Sequence, residues 1–222
     1  PPQDHIMIDY GHIRVKEPFN LTFIPSLENI SKIGSPTEII DAFTAIHCID
    51  AIEWLIKTES QNYHAINKVK RYAGQKALSS SVNVINCCSD SDASSLIGTY
   101  TDTGKYRPGV ESPHNIIELA KALLKNGIIG KSKRKVNKSE QRKLTEFNAN
   151  EHANLARIHL GMDRKEAYSL TVTELIALME AKFPIDDDKQ KSTYNLNKDE
   201  YDKKMKRARD LRKKLAKQRG VK

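Results

Sequence analysis

The sequence predicts a mainly α protein: a helical domain with a small N-terminal β-hairpin or meander and a basic C-terminal helix. Three observations predict it. Apolar residues recur at helical spacing in several stretches, most of them opened by a Ser, Asp, Asn or Thr at the capping position. One early stretch, residues 6–24, alternates with a period of two instead. Charge is also segregated. Residues 189–222 carry 14 basic side chains against four acidic ones, while residues 1–188 carry 23 basic and 24 acidic. A nearly neutral body is followed by a strongly basic segment.

In residues 6–24, Ile6 and Ile8, then Ile13 and Val15, then Phe19, Leu21 and Phe23 fall at every second position, with breaks at Tyr10-Gly11 and Glu17-Pro18. Two or three short strands follow from this, and a sheet so small needs helices to lean on. Ser35-Pro36-Thr37-Glu38 is a capping box with proline at the first helical position. The helix it opens has a wide apolar face of Ile39, Ile40, Phe43, Ile46, Cys48, Ile52, Trp54 and Leu55. A more polar helix is expected over 63–78. Residues 79–98 fit either strand or helix, with helix favoured by Val84, Ile85, Cys87 and Cys88. Residues 99–112 read as loop. Ser112-Pro113 starts another helix with the face Ile116, Ile117, Ala120, Leu123 and Leu124, and Gly127 is its expected left-handed terminator.

Residues 131–143 carry a net charge of +6 and read as a connector. A helix runs from 148 or 150 to Leu160. Gly161 ends it, and two short helices follow, opened by Asp163 with Glu166 and by Thr171 with Glu174, before Phe183-Pro184 closes the unit. Beyond this, 198–219 is a helix with acids in its first turn and bases in its last, as the helix dipole favours. Its apolar seam is Tyr201, Met205, Ala208, Leu211 and Leu215. The resulting organisation is 1–130, an N-terminal domain; 131–147, a basic connector; 148–184, a unit of short helices; and 185–222, a linker and basic helical tail.

Several stretches imitate catalytic or metal motifs and fail on spacing. GTYTDTGK (98–105) has five residues between its glycines where a P-loop has four, and GIIGKS (127–132) has two and follows a helix. DSDAS (90–94) starts like a calcium loop, but Ser95 and Thr101 occupy the positions that need glycine and glutamate. His47 reads as a satisfied, partly buried side chain. Asp186-Asp187-Asp188 reads as solvated linker. Three cysteines, Cys48, Cys87 and Cys88, are too few for a disulfide framework and read as reduced, packed thiols. No apolar run approaches a membrane span, and the chain shows no signal peptide. The expected class is therefore a non-enzyme without cofactor or metal.

ANLARIHLGMDRKEAYSLTVTELIALMEAKFP (153–184) resembles the carboxy-terminal region of tail assembly chaperones and related small tail proteins of long-tailed bacteriophages. Leu160-Gly161, Asp163, Leu170-Thr171, Glu174 and Leu175 carry the match. Upstream, FIPSLENISKIGSPTEIIDAF (23–43), Cys87-Cys88, Leu96-Ile97-Gly98 and NIIELAKALLKNGIIG (115–130) resemble proteins of phage tail-gene clusters. The resemblance covers 23–184 and leaves 185–222 outside. It implies a helical chaperone, in the cytoplasm of the infected bacterium, that coats the long tape-measure protein and recruits tail-tube subunits. In some such families a frameshift appends an extra segment, and the break at Pro184 has that character.

Docking of an amphipathic helix on the short-helix unit would use Leu170, Leu175, Leu178, Met179 and Phe183, each of which reads equally as plain core. Tyr201, Met205, Leu211 and Leu215 would dock on a partner or a second copy. Lys203, Lys204, Arg207, Arg209, Arg212, Lys213 and Lys214 would meet phosphates or an acidic surface. Two readings stand beside the chaperone: a nucleic-acid-binding protein acting through the basic tail, and a structural virion completion protein.

Overall fold

A computed structural model of the protein describes residues 6–9, 11–58, 63–132 and 145–184. The expected basic helix 198–219, with every tail residue named above, lies outside the described residues, as does most of the 131–143 connector. The chain divides into two compact units, Pro1–Lys182 and Phe183–Lys222.

The alternating stretch forms three antiparallel strands in the order β1 (Ile6–Asp9), β2 (His12–Val15) and β3 (Leu21–Phe23), with Ile8 opposite Ile13 and Ile13 opposite Phe23. Ile13, Leu21 and Phe23 point inward and are buried, as a period of two requires. The free edge of β3 is taken up by the end of the longest helix. Ile24 N donates to Cys88 O at 2.8 Å and Asp90 N donates to Thr22 O at 3.0 Å. The small sheet is thereby tied to the helices.

Helix α1 (Leu27–Ser31) starts at Ser26, whose Oγ accepts from Asn29 N. Helix α2 (Pro36–Thr58) starts at the expected box: Ser35 N donates to Glu38 Oε2 at 2.7 Å, and Glu38 N donates back to Ser35 Oγ at 3.4 Å. Ile39, Ile40 and Ile46 are buried, but Cys48 is exposed. That corrects both the apolar face and the packed thiol expected there. Its place in the register falls outside the stripe set by Ile39, Ala42 and Ile46.

Helix α3 runs unbroken over Tyr63–Cys88, ten residues past the expected stop at 78. Within the serine run the hydroxyls are satisfied by bonding back to the preceding turn, Ser79 Oγ to Lys76 O and Ser81 Oγ to Ala77 O at 2.8 Å. The favoured helical reading of Val82–Cys88 holds. After a short α4 (Ser94–Ile97), the stretch expected as pure loop contains a two-stranded hairpin, β4 (Thr99–Tyr100) with β5 (Tyr106–Arg107). Tyr106 Oη anchors it by donating to Ile97 O at 2.6 Å.

Helix α5 (Pro113–Leu124) buries all five expected residues, from Ile116 to Leu124. It then widens into a π-helical turn, Lys125–Ile129, and Gly130, with φ +74°, is the residue that leaves it. Gly127 is therefore inside the turn and is not a left-handed terminator. Its small size has a different cause: a Cβ there would lie 2.7 Å from Ile30 Cδ1 and 3.0 Å from Pro25 Cβ.

The remaining body consists of α6 (Ala149–Leu155), a π-helical turn Ala156–Leu160, α7 (Arg164–Ser169) and α8 (Val172–Lys182). Gly161 ends the first of these in the left-handed conformation. These elements share one core with the rest. Ala149, Ala153, Ala156, Ala167, Val172 and Leu175 belong to the same buried cluster as Leu27, Ile30 and Leu123.

Candidate docking surface

The stretch 161–182 is fixed by two consecutive capping boxes. Asp163 Oδ1 accepts from Glu166 N at 2.7 Å and Glu166 Oε2 accepts from Asp163 N at 3.1 Å. Eight residues on, Thr171 Oγ1 accepts from Glu174 N at 3.1 Å and Glu174 Oε2 accepts from Thr171 N at 2.8 Å. Each box satisfies two amides that short helices would otherwise leave unpaired. Leu27 N donates to Leu170 O at 2.8 Å, and Ser26 forms a β-bridge with Thr171, so the turn between the boxes is held by the start of α1.

Helix α8 is clamped on both flanks. Glu174 Oε1 lies 3.4 Å from His12 Nε2 of β2, which is sealed from solvent and lacks a well-oriented hydrogen bond. Thr173 Oγ1 lies 3.2 Å from Oδ1 of Asn126, a buried amide in the π-turn whose Nδ2 donates to Ala122 O. Gly130 lies against the same helix, where a Cβ would come within 2.5 Å of Ile176 Cδ1. Ser132 Oγ donates to Glu180 Oε1, and at the far end Lys182 Nζ donates to His159 O at 2.6 Å.

This packing sorts the residues expected to dock. Leu175 is 4% exposed and is core, which removes it from the surface. Leu170 and Met179 are half-buried against the core, and Leu178 is exposed. Phe183 is exposed and opens the second compact unit. Two residues not singled out in the sequence are more open. Ile158 is 76% exposed and Leu155 is 43% exposed. The inward stripe of that helix is alanine, at 149, 153 and 156, which lets it approach α1 closely and turns the larger Leu155 and Ile158 outward. The signal was in the sequence: large apolar side chains displaced from the i, i+4, i+7 stripe. The Lys182 bond to His159 sets the flank of α8 that carries Leu178 beside this turn, because Leu178 and Lys182 are one helical turn apart.

Reactive chemistry is not concentrated anywhere comparable. Among the described residues there is no group of three or more His, Cys, Asp or Glu side chains able to hold a metal. Burial pushes the Cys88 thiol far above its ordinary range and raises that of Cys87, which suppresses the nucleophilic thiolate. His47 is a satisfied side chain, its Nδ1 2.9 Å from Phe43 O and its ring stacked on Phe43. Residues 90–93 form a bend in which Asp92 accepts from Ser94 N. A cleft of about 680 Å³ lies between α1, the start of α2, the start of α6 and α7. Tyr168 beside it bonds Asn150 and lies under the Arg164 guanidinium. A second groove, of about 490 Å³, lies between the sheet and α5 and has an apolar floor of Val15, Phe19 and Leu119 among others. No helix among the described residues is long and apolar enough to cross a membrane.

Fold and surface together define a mainly helical protein with a small antiparallel sheet, in which Leu155, Ile158 and Leu178 are exposed apolar residues of the short-helix region. Residues 23–211 match the model of a family of unknown function (DUF6246), and the chain belongs to that family. No curated protein and no solved structure matches it. The family match runs past Pro184 to residue 211, so most of the basic segment belongs to the family's sequence pattern.

Proposed function

We propose that the protein is a non-enzymatic assembly chaperone of long-tailed bacteriophages, binding the helical tape-measure protein, tail-tube subunits, or both during tail morphogenesis in the cytoplasm of the infected host. The observation that carries this reading is the exposure of three large apolar side chains, Leu155 and Ile158 at the end of the 149–160 helix and Leu178 on α8, whose start is fixed by the Thr171–Glu174 capping box. A rigid, apolar, chemically unreactive surface suits an amphipathic helix presenting anchors at successive turns. The resemblance of 153–184 to tail assembly chaperones names the partner class.

The test is a tagged pulldown from infected or lysogenic cells after nuclease treatment, with partners read by mass spectrometry. Recovery of a very long helical phage protein or a tube subunit, lost in the double variant Ile158→Asp and Leu178→Asp, supports the reading. Recovery unchanged by that variant sinks the assignment of the surface. The second reading, nucleic-acid binding, is favoured by one observation, the 14 basic against four acidic side chains of residues 189–222. It predicts affinity that falls steeply with salt and disappears when that segment is removed. A structural virion completion protein would instead be found in purified particles.

A further inference from the structure

The groove between β2–β3 and α5 combines an apolar floor with a carboxylate rim. Val15, Phe19 and Leu119 are partly open along the floor, and Glu17, Glu111 and Glu118 line the edge. Among the described residues no lysine or arginine lines it. Strand alternation sends Arg14 and Lys16 to the opposite face from Ile13 and Val15. Glu118 pairs with Lys121 within α5 at 2.8 Å, and Glu111, just before the helix, accepts from Asn115 at 2.7 Å, so the rim keeps an excess of negative charge.

The sequence of 198–219 has the complementary pattern. Tyr201, Met205, Ala208, Leu211 and Leu215 are spaced by four, three, three and four residues, a single helical stripe, with Lys203, Lys204, Arg207 and Arg212 among the bases around it. We propose that this groove is a docking site for the basic segment 198–219 of a second copy of the chain. Apolar anchors would enter the groove while flanking ammonium and guanidinium groups meet Glu17, Glu111 and Glu118. Groove and segment are different surfaces, so the contact closes by reciprocal exchange or in a ring, or propagates from copy to copy. The proposal rests on the assembly reading above, and the carboxylate rim selects a basic, apolar-striped occupant.

The test uses the full-length protein alone, with no phage partner present. Isotopically light and heavy copies are mixed and joined with a carbodiimide, which links carboxylates to amines only at contact. Light–heavy links from Glu17, Glu111 or Glu118 to lysines of 198–219 are expected, together with concentration-dependent association in sedimentation that weakens at high salt. The triple variant Glu17→Lys, Glu111→Lys, Glu118→Lys should weaken association at least about tenfold, a loss of about 1.4 kcal/mol. Adding Lys203→Glu, Lys204→Glu and Arg207→Glu should restore it, which separates lost contact from lost folding. Links confined to light–light and heavy–heavy pairs would overturn the second copy as occupant, and association indifferent to both charge swaps would overturn the site. Either failure leaves the pulldown result standing, and a failed pulldown leaves this result standing.

Discussion

The long hairpin of α2 and α3 and the short helices of 149–182 are built on opposite principles. Helix α3 covers 26 residues, carries no acid in its first turn and no base in its last, and runs through three consecutive serines without stopping. Its continuity comes from a buried stripe, including Ala77, Val84, Ile85 and Cys88, packed on α5 and α2. Helices α7 and α8 are six and 11 residues long, below the length at which helices persist in water by themselves. Their boundaries are set one by one, by Asp163 with Glu166 and by Thr171 with Glu174. Packing specifies the first region and local chemistry specifies the second. The docking surface proposed above would gain from the second strategy, because the two helices after Gly161 are each pinned at their own start.

The most severe way to break this contrast is to remove the packing beneath the short helices. Phe147 is 2% exposed, its N–H donates to Pro36 O at 3.0 Å, and its ring stacks on His152. Phe147→Ala should cost about 3–5 kcal/mol, read as a lower midpoint in denaturant titration. A cost below about 1 kcal/mol would mean that the caps hold the unit without the core.

Cap removal comes next in size. Thr171 is fully buried at the junction between boxes, and Thr171→Ala should cost about 1–2 kcal/mol, against about 1 kcal/mol for the exposed Asp163→Ala. Ser79→Ala, in the middle of α3, should stay within about 0.5 kcal/mol. Equal costs at all three positions would erase the distinction between the regions.

The same contrast explains what the sequence made legible. The strands of 6–24, the boxes at Ser35, Asp163 and Thr171, and the terminator Gly161 were readable because each depends on residues no more than a few positions apart. Gly127 was misread because its cause, the side chains of Ile30 and Pro25, is about 100 residues away. Phe147 was assigned to a basic connector, although tertiary burial makes it one of the largest core side chains. Leu175 was legible as apolar, but whether it faces core or solvent is set by how α8 is clamped between His12, Asn126 and Gly130. For the same reason Leu155 and Ile158 are open, turned outward by an alanine stripe.

A smaller effect sharpens the account of the long hairpin. Gly74 sits within α3, and a Cβ there would meet nothing within 4 Å. Packing therefore does not require glycine. Gly74→Ala should stabilise the protein by about 0.5–1 kcal/mol, by removing conformational freedom from the unfolded chain. A loss of stability on thermal melting would show that this helix is bent or crowded at that point.

The smallest effect concerns the one locally specified end of the long hairpin. The backbone N–H and the hydroxyl of Ser35 both donate to Glu38, and these bonds hold its carboxyl below the usual carboxylate range. A carboxylate whose folded pKa is depressed contributes stability that is fully present above its unfolded value and is lost as pH falls through the folded one. Stability should therefore decline on acidification below the ordinary glutamate range, with Glu38 supplying part of the slope. Glu38→Gln keeps an acceptor for the Ser35 N–H but removes the titration, so the variant should be slightly less stable at neutral pH and should converge on the parent protein in acid. Denaturant midpoints for both proteins across that range decide it. Parallel curves would mean that α2 takes its start from packing and not from its cap.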